Sequence, residues 1–401
     1  MIKRGLLFTG LMLAGAANVQ ALPYGFTDAR SIAMGNVSVA TGGVTTAAFS
    51  NPAMLMVNES DDTFAFHVGA GAIFLDNGDM IDGIDEFQEI EDQINLIDTS
   101  DANNAQELLD ALNAQAEVLN DLSGDSLLGR ARPNVAVVYG GDSFSLAITA
   151  GADAFASGAV SNITGVGPFT FAGIENEINN TGTLNLNPTG DLDAFGAVTT
   201  EVGVSIASSF TLLGMDVSLG VKPKVVSAEA ITFSESLETV DTDDIIDDTT
   251  QDLGSFTTMD AGAVVSFSDS LRVGMVAKNL ISETLTVSTN GSTRDIDFDT
   301  HLRVGVAYNN SFMTVAADMD LTEADSVLFE DSTKMLAMGI ELNAFDYLQL
   351  RGGYQTNLAS GATADDLFSA GIGLWLGFNL DIAAVISEDS VGAFVQTGFR
   401  F

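Results

Sequence analysis

The sequence has no cysteine, only two histidines, and few basic residues: 14 Lys+Arg against 55 Asp+Glu, a net charge of -41. Without cysteine there is no disulfide framework and no thiolate chemistry. His67 and His301 lie in no recognisable catalytic motif. A hydroxyl nucleophile needs a base within hydrogen-bond reach, and nothing in the sequence pairs either histidine with one. Each therefore reads as a polar residue on an inward face, and no enzyme is expected. So acidic a chain presents no basic surface for nucleic acid. No run of about 18 apolar residues occurs, so no transmembrane helix is expected. Candidate metal sites are equally thin. The acidic stretches around Asp241 and Asp295 lack the glycine and distal glutamate of a calcium-binding hand loop. Asp295, Asp297 and Asp299 would share one face if extended, which suits weak Ca²⁺ binding at most. No cofactor is called for.

What is present is apolar residues in short alternating doses. Mean hydropathy is +0.26 despite the 55 acidic residues. A chain that is apolar on average and never apolar for long is what alternating, half-lipid-facing strands produce. At its start, Lys3 and Arg4 precede the apolar run 5–17, and Val19-Gln20-Ala21 forms a small-x-small cleavage pattern. These features predict a secretory signal peptide over 1–21.

Period-two segments then recur to the end of the chain. The first is 63–74, with Phe64, Phe66, Val68 and Ala70 on one face and His67 on the other. In 302–308 the residues Leu302, Val304, Val306 and Tyr308 face lipid, while His301 and Arg303 face inward. In 348–354 Gln349 and Arg351 face inward. Segments 133–140, 143–157, 194–210, 215–233, 256–267, 271–287, 300–308, 312–321, 334–342, 347–355, 367–375, 378–386 and 392–401 complete about fourteen strands. Short turns (140–142, 268–270, 309–311, 343–346) alternate with longer acidic segments (241–252, 322–331). That alternation predicts an all-β, antiparallel up-and-down transmembrane barrel over 61–401, with tight periplasmic turns and long extracellular loops. One stretch breaks the period. Over 79–124, Phe87, Ile90, Ile94 and Ile97, then Leu108, Leu109, Leu112 and Leu119, recur at spacings of three and four. This predicts an amphipathic helical pair turning at 98–101, an extracellular insert that caps the barrel mouth or presents a face to a partner.

Three stretches carry resemblances. The last strand, 391–401, ends in Phe399-Arg400-Phe401 and resembles the closing strand of bacterial outer-membrane barrels. That likeness implies an assembly signal at Phe399 and Phe401, read by the barrel-assembly machinery, and a seam with 63–74. The second stretch, 22–60, is too apolar for a free linker. It contains Ala29-Arg30-Ser31, Met34-Gly35 and Asn51-Pro52-Ala53. This pattern resembles the start of the FadL-type hydrophobic-compound channels and of the conjugal-transfer TraF-type outer-membrane proteins. The ending Asn279-Leu280 is similar to one that recurs in the same barrels. The resemblance implies a plug or hatch folded into the lumen, with Arg30, Met34, Gly35, Asn51, Pro52 and Ala53 as its motif. It also implies a place in the outer membrane among its lipids. Two functions follow from it: passive passage of small hydrophobic molecules along Phe26, Met34, Phe49 and Met54, or a structural and surface-interaction role carried by the insert and acidic loops.

Overall fold

A computed structural model of the chain describes residues 25–57, 63–77, 79–97, 104–123, 125–173, 188–239, 250–289, 292–324, 332–344, 347–360, 366–387 and 390–401. The signal-peptide segment 1–21, the turn 98–101 and most of the acidic segments 241–252 and 322–331 lie outside the described residues.

The strands are β1 (Phe64–Asn77), β2 (Ser126–Ala131), β3 (Asn134–Tyr139), β4 (Phe144–Thr164), β5 (Thr189–Leu212) and β6 (Met215–Ser236). They continue with β7 (Thr250–Ser266), β8 (Leu271–Lys278), β9 (Glu283–Thr289), β10 (Ser292–Phe298), β11 (His301–Asn309) and β12 (Met313–Asp320). The last five are β13 (Met335–Ala344), β14 (Leu348–Asn357), β15 (Leu367–Trp375), β16 (Asn379–Ile386) and β17 (Ser390–Arg400). Fifteen of them form one antiparallel sheet, and β17 pairs back onto β1, from Ala65↔Arg400 to Leu75↔Ser390. The sheet is therefore a closed barrel with no free edge. β2 and β3 fill one position between β1 and β4, so the wall has fourteen staves. The interruption falls at Arg132-Pro133, where proline has no N–H to give the ladder. The sequence expectation began this stave at 133 and did not include β2.

Alternation sorts the two faces. On β5, Val202, Val204, Ile206 and Phe210 are exposed outward, while Ser205 and Ala207 are buried inward. β4, β5 and β6 have 21, 24 and 22 residues, about twice the 9–11 that cross a bilayer. Their far halves stand clear of the lipid-facing band.

The helical pair covers those far halves from outside. Met80, Ile84 and Phe87, with Leu119 and Leu122, pack on Leu127, Val160, Leu192 and Leu237, flanked by Phe74 and Phe233. Val160 and Leu192 are register partners and share the outward parity of exposed Ile148 and Val202. The pair therefore does not cap the mouth. It is clamped to the outer wall, because apolar outward residues above the bilayer need a protein cover.

The mouth is occupied instead by a hairpin. Segment 271–287 was expected to be one strand, but the chain leaves the wall after Lys278. Asn279 is left-handed (φ 52°) and the Leu280 N–H donates to the Met259 carbonyl at 2.8 Å. β9 and β10 pair only with each other, and β11 returns to pair directly with β8. Val287, Ile296 and Phe298 pack on inward-facing Phe155, Phe195, Val226 and Ala230.

Candidate functional site: the plugged lumen

Residues 25–57 thread the lumen, most of them buried and none exposed. Helix α1 (Ala29–Ala33) starts at Asp28, whose side chain accepts from the Ser31 N–H at 2.9 Å. Gly35 (φ 74°) and Asn36 (φ 69°) are both left-handed and reverse the chain. Helix α2 (Ala47–Ser50) leads to Asn51, which accepts from the Ala53 N–H at 3.1 Å and so starts the 3₁₀ turn Pro52–Met56. Asn51 also donates to the Val39 carbonyl at 2.8 Å, tying the two halves of the segment together.

Two polar anchors fix this segment to the wall. In the first, Arg30 is bidentate to Glu341 (2.8 and 3.0 Å) and also donates to the Thr41 carbonyl. Glu341 is shared with Arg351 (2.7 Å), which continues to Asp381 (2.5 Å). Gln396 bridges Asp381 (2.8 Å) back to the Ala29 N–H (2.8 Å). In the second, Asp318 accepts from the backbone N–H groups of Ser38 and Val39 at 2.7 and 2.9 Å. Beside it, fully buried Arg303 holds Asp320 (2.5 and 3.1 Å) and reaches the Asn36 carbonyl at 3.3 Å. His301 Nε2 lies 3.1 Å from Asp320.

Single bonds add to these, from Arg132 to the Phe26 carbonyl (2.8 Å), from Lys278 to the Phe49 carbonyl (2.9 Å) and from the Gly35 N–H to Ser369 (3.0 Å), and steric contacts complete the seat. Pro52 and Ala53 lie on Gly220, where a Cβ would come within 2.5 Å of the Ala53 nitrogen. Met34 and Gly35 lie on Gly339 and Gly353, which face each other across β13 and β14. Only a side-chain-free wall admits plug backbone this close.

The residues singled out from the sequence thus fall into separate places. Arg30 and Arg351 meet at Glu341 in the first anchor, and Arg303 and His301 at Asp320 in the second. His67 stands apart, 2.7 Å from Asn134 with its ring 5.6 Å from Phe49. Phe399 is exposed on the outer face beside Phe378, and Phe401 stacks on Phe64 with backbone bonds both ways (2.8 and 3.0 Å). Glu341, Asp318, Asp320 and Asp381 were not singled out. On β12 the signal was present as two acids two residues apart on an otherwise apolar strand.

Between the plug and the hairpin lies a cavity of about 110 Å³. Phe26 and Phe49 line it from the plug, Phe298 from the hairpin, and Arg132, Lys224 and Lys278 from the wall. It adjoins the interruption between β2 and β3 through Pro133 and Asn134. Met34 and Met54, expected on a route with Phe26 and Phe49, are instead packed in separate apolar clusters, 0% and 2% exposed.

A closed fourteen-stave barrel whose lumen is filled by its own N-terminal segment is the architecture of plugged outer-membrane-type channels. The family described as "F plasmid transfer operon, TraF, protein" matches residues 48–320, over half of the chain, and the chain belongs to it. Among solved structures, the Ralstonia pickettii toluene transporter TbuX is similar at 12% identity and TM-score 0.53, covering 94% of this chain and 98% of its own. A TodX deltaS2S3 mutant monoaromatic hydrocarbon channel matches at 14% identity and TM-score 0.53 (94% and 99% covered). A Pseudomonas aeruginosa FadL homologue matches at 12% and 0.51 (95% and 99% covered). At such identities the likeness is one of fold. No curated protein sequence matches at a significant level.

Proposed function

We propose that the chain, exported by the signal peptide at 1–21, resides in the outer membrane and passes small hydrophobic molecules by displacement of its plug. It takes no catalytic part. The observation that carries this reading is the mode of plug attachment. Residues 25–57 are held by two polar anchors and a bare glycine floor, contacts that can part and re-form, inside a wall interrupted at Arg132-Pro133 beside the cavity. The shared fold with monoaromatic hydrocarbon channels supports it. Arg30, Met34, Gly35, Asn51, Pro52 and Ala53 form the movable barrier, and inward-facing His67, His301, Arg303 and Arg351 polarise the lumen. Phe399 and Phe401 serve as the strand recognised by the barrel-assembly machinery. Toluene uptake by cells with and without the protein tests the proposal. Pro52→Ala, which loosens the turn on Gly220, should change the uptake rate. Equal uptake of toluene and other apolar solutes with and without the chain would sink it.

Family membership favours a second reading, a surface role in transfer between cells. The insert here is α3 (Met80–Leu96) and α4 (Ala105–Asp121). α3 buries one face on the wall and exposes Asp82, Asp85, Glu86, Glu89 and Asp92 on the other. Replacing these five by their amides should abolish partner contact while the barrel stays closed. Deleting 79–124 is a poorer test, because it would bare Phe74, Leu127, Val160 and Leu192. Unchanged transfer and binding in the amide variant would remove this reading.

A further inference from the structure

We propose that the far half of β7 is a docking edge for an extended, basic segment of a partner protein, which joins the wall as an added strand. This rests neither on passage of hydrophobic molecules nor on the acidic face of α3.

Pairing of β17 with β1 removes both ends of the sheet. A stave that outruns its neighbour still leaves part of its side unpaired, and β7 does so. β6 lies along it from Asp216↔Ser266 to Ile231↔Thr250. β8 reaches only Ala261↔Ala277 before the chain turns off at Asn279. The hairpin of β9 and β10 forms its own sheet and does not fill the gap. It is drawn inward instead. The Thr258 hydroxyl, on the lumen face of β7, donates to the Ile281 carbonyl at 2.9 Å. Phe298 packs on Phe256, with ring centres 4.8 Å apart.

Bonded positions alternate along an antiparallel strand. The Phe267 N–H donates to the Leu271 carbonyl at 2.9 Å, and the Leu280 N–H to the Met259 carbonyl at 2.8 Å. Odd-numbered residues of β7 therefore turn their N–H and C=O groups toward the side of β8. Past Met259 these are Thr257 and Ser255. Both are exposed, and among the described residues neither has a backbone partner on that side. Above them the register shifts at Glu229, and the Gly254 N–H (φ 87°) turns to Asp252 at 2.8 Å. The open stretch is thus Ser255–Met259, roughly 16 Å of extended chain.

Natural sheets guard exposed edges with lysine, proline or a cover. The stretch Ser-Phe-Thr-Thr-Met contains neither residue. Alternating N–H and C=O groups at this spacing are matched by another extended chain. Its charge is set by the surroundings. Glu229 and Asp252, register partners on the outer face, are exposed, as is Glu283. Neither β7 nor the part of β6 beyond Lys224 contains a lysine or arginine. A segment with basic residues on its outward set and apolar ones on its inward set, against Phe256 and exposed Ile281, complements this edge. A second copy of the chain would bring the same acids face to face and does not.

The full-length barrel in detergent micelles is titrated with a dye-labelled nine-residue peptide of alternating lysine and valine, followed by fluorescence anisotropy. Saturable binding is expected. Hydrogen exchange read by mass spectrometry should find the Ser255 and Thr257 amides exchanging freely in the protein alone and protected once the peptide is bound. The same peptide N-methylated at every amide, and one with glutamate for lysine, should each bind weaker by roughly tenfold or more. Thr257→Pro removes one edge N–H and no bond to β6, so it should cost the peptide a similar factor, while Thr257→Val should cost nothing. Slow exchange at both amides in the protein alone overturns the proposal, whether a second copy or the chain itself covers the edge. Absence of saturable binding overturns it too. So does equal binding of either control peptide, equal binding to Thr257→Pro, or an equal loss in Thr257→Val. Should Thr257→Pro fail to fold, the exchange and the control peptides decide the matter. Toluene uptake and transfer between cells are separate readouts, so failure here leaves both earlier readings standing, and the reverse holds too.

Discussion

Arg30→Ala is expected to release the N-terminal segment from the lumen while the barrel stays closed. Arg30, Arg351, Glu341 and Asp381 form a cluster of two cations and two carboxylates, linked at 2.5 to 3.0 Å. The side chain of Arg30 is 23% exposed and that of Glu341 7%. Removing Arg30 leaves one uncompensated negative charge beside Arg351, and breaking a buried pair from one side costs about 3–5 kcal/mol. That cost falls on the plug-docked state, because the wall keeps its own ladder of backbone bonds. Limited proteolysis should cut within 25–57 at far lower protease concentration than in the unaltered protein, with the barrel fragment intact. Arg30→Ala combined with Glu341→Ala leaves Arg351 and Asp381 as a balanced pair, so the double variant should be less disturbed than the single one. Arg30→Lys keeps the charge but loses the two-pronged contact and should fall between. Unchanged proteolysis in Arg30→Ala would mean that the plug is held elsewhere.

The wall was legible because its period is two and one face meets lipid. In 302–308 and 391–401 alternation alone assigns the inward residues, and the structure buries those positions except the last, Arg400, which is half-buried. The seam between the last strand and β1 followed from closure. What stayed hidden depends on partners distant in sequence. Segment 271–287 keeps branched apolar residues on both sides of Asn279 (Val273, Val276, Leu280, Ile281, Val287), so its break there became visible only from the bonds of Leu280 and Asn279 to β7. The helical pair was plain from its three-four spacing. Its seat on the outer wall depended on β4 and β5 running past the bilayer with Val160 and Leu192 turned outward.

The candidate site was half legible for the same reason. Arg30 stood out within its motif, but its acceptor Glu341 lies 311 residues away. Inward charges two residues apart were a usable signal, as with Lys222 and Lys224 or Asp318 and Asp320. Which of them pair is set by register across the wall.

Gly353→Ala should displace the plug as strongly as loss of Arg30, whereas the same change one residue earlier should do little. Gly352 and Gly353 are adjacent on β14 and therefore point to opposite faces. A Cβ on Gly352 would meet only the Ser369 carbonyl, at 4.0 Å. A Cβ on Gly353 would overlap the Gly35 nitrogen and the Met34 carbonyl carbon, and lie 2.6 Å from the Gly35 Cα. These are backbone atoms, so no side chain can swing away. Gly35 is already pressed against the wall backbone, where a Cβ on it would meet the Tyr354 carbonyl at 2.5 Å. The plug must lift, giving up the bond from the Gly35 N–H to Ser369 (3.0 Å) and the buried seat of Met34. Overpacking of this kind costs typically about 1–3 kcal/mol and more when backbone must move. Gly353→Ala should therefore show early proteolysis within 25–57 and a changed toluene uptake rate, with Gly352→Ala matching the unaltered protein in both. Equal behaviour of the two variants would place Met34 and Gly35 away from the wall, and the plug with them.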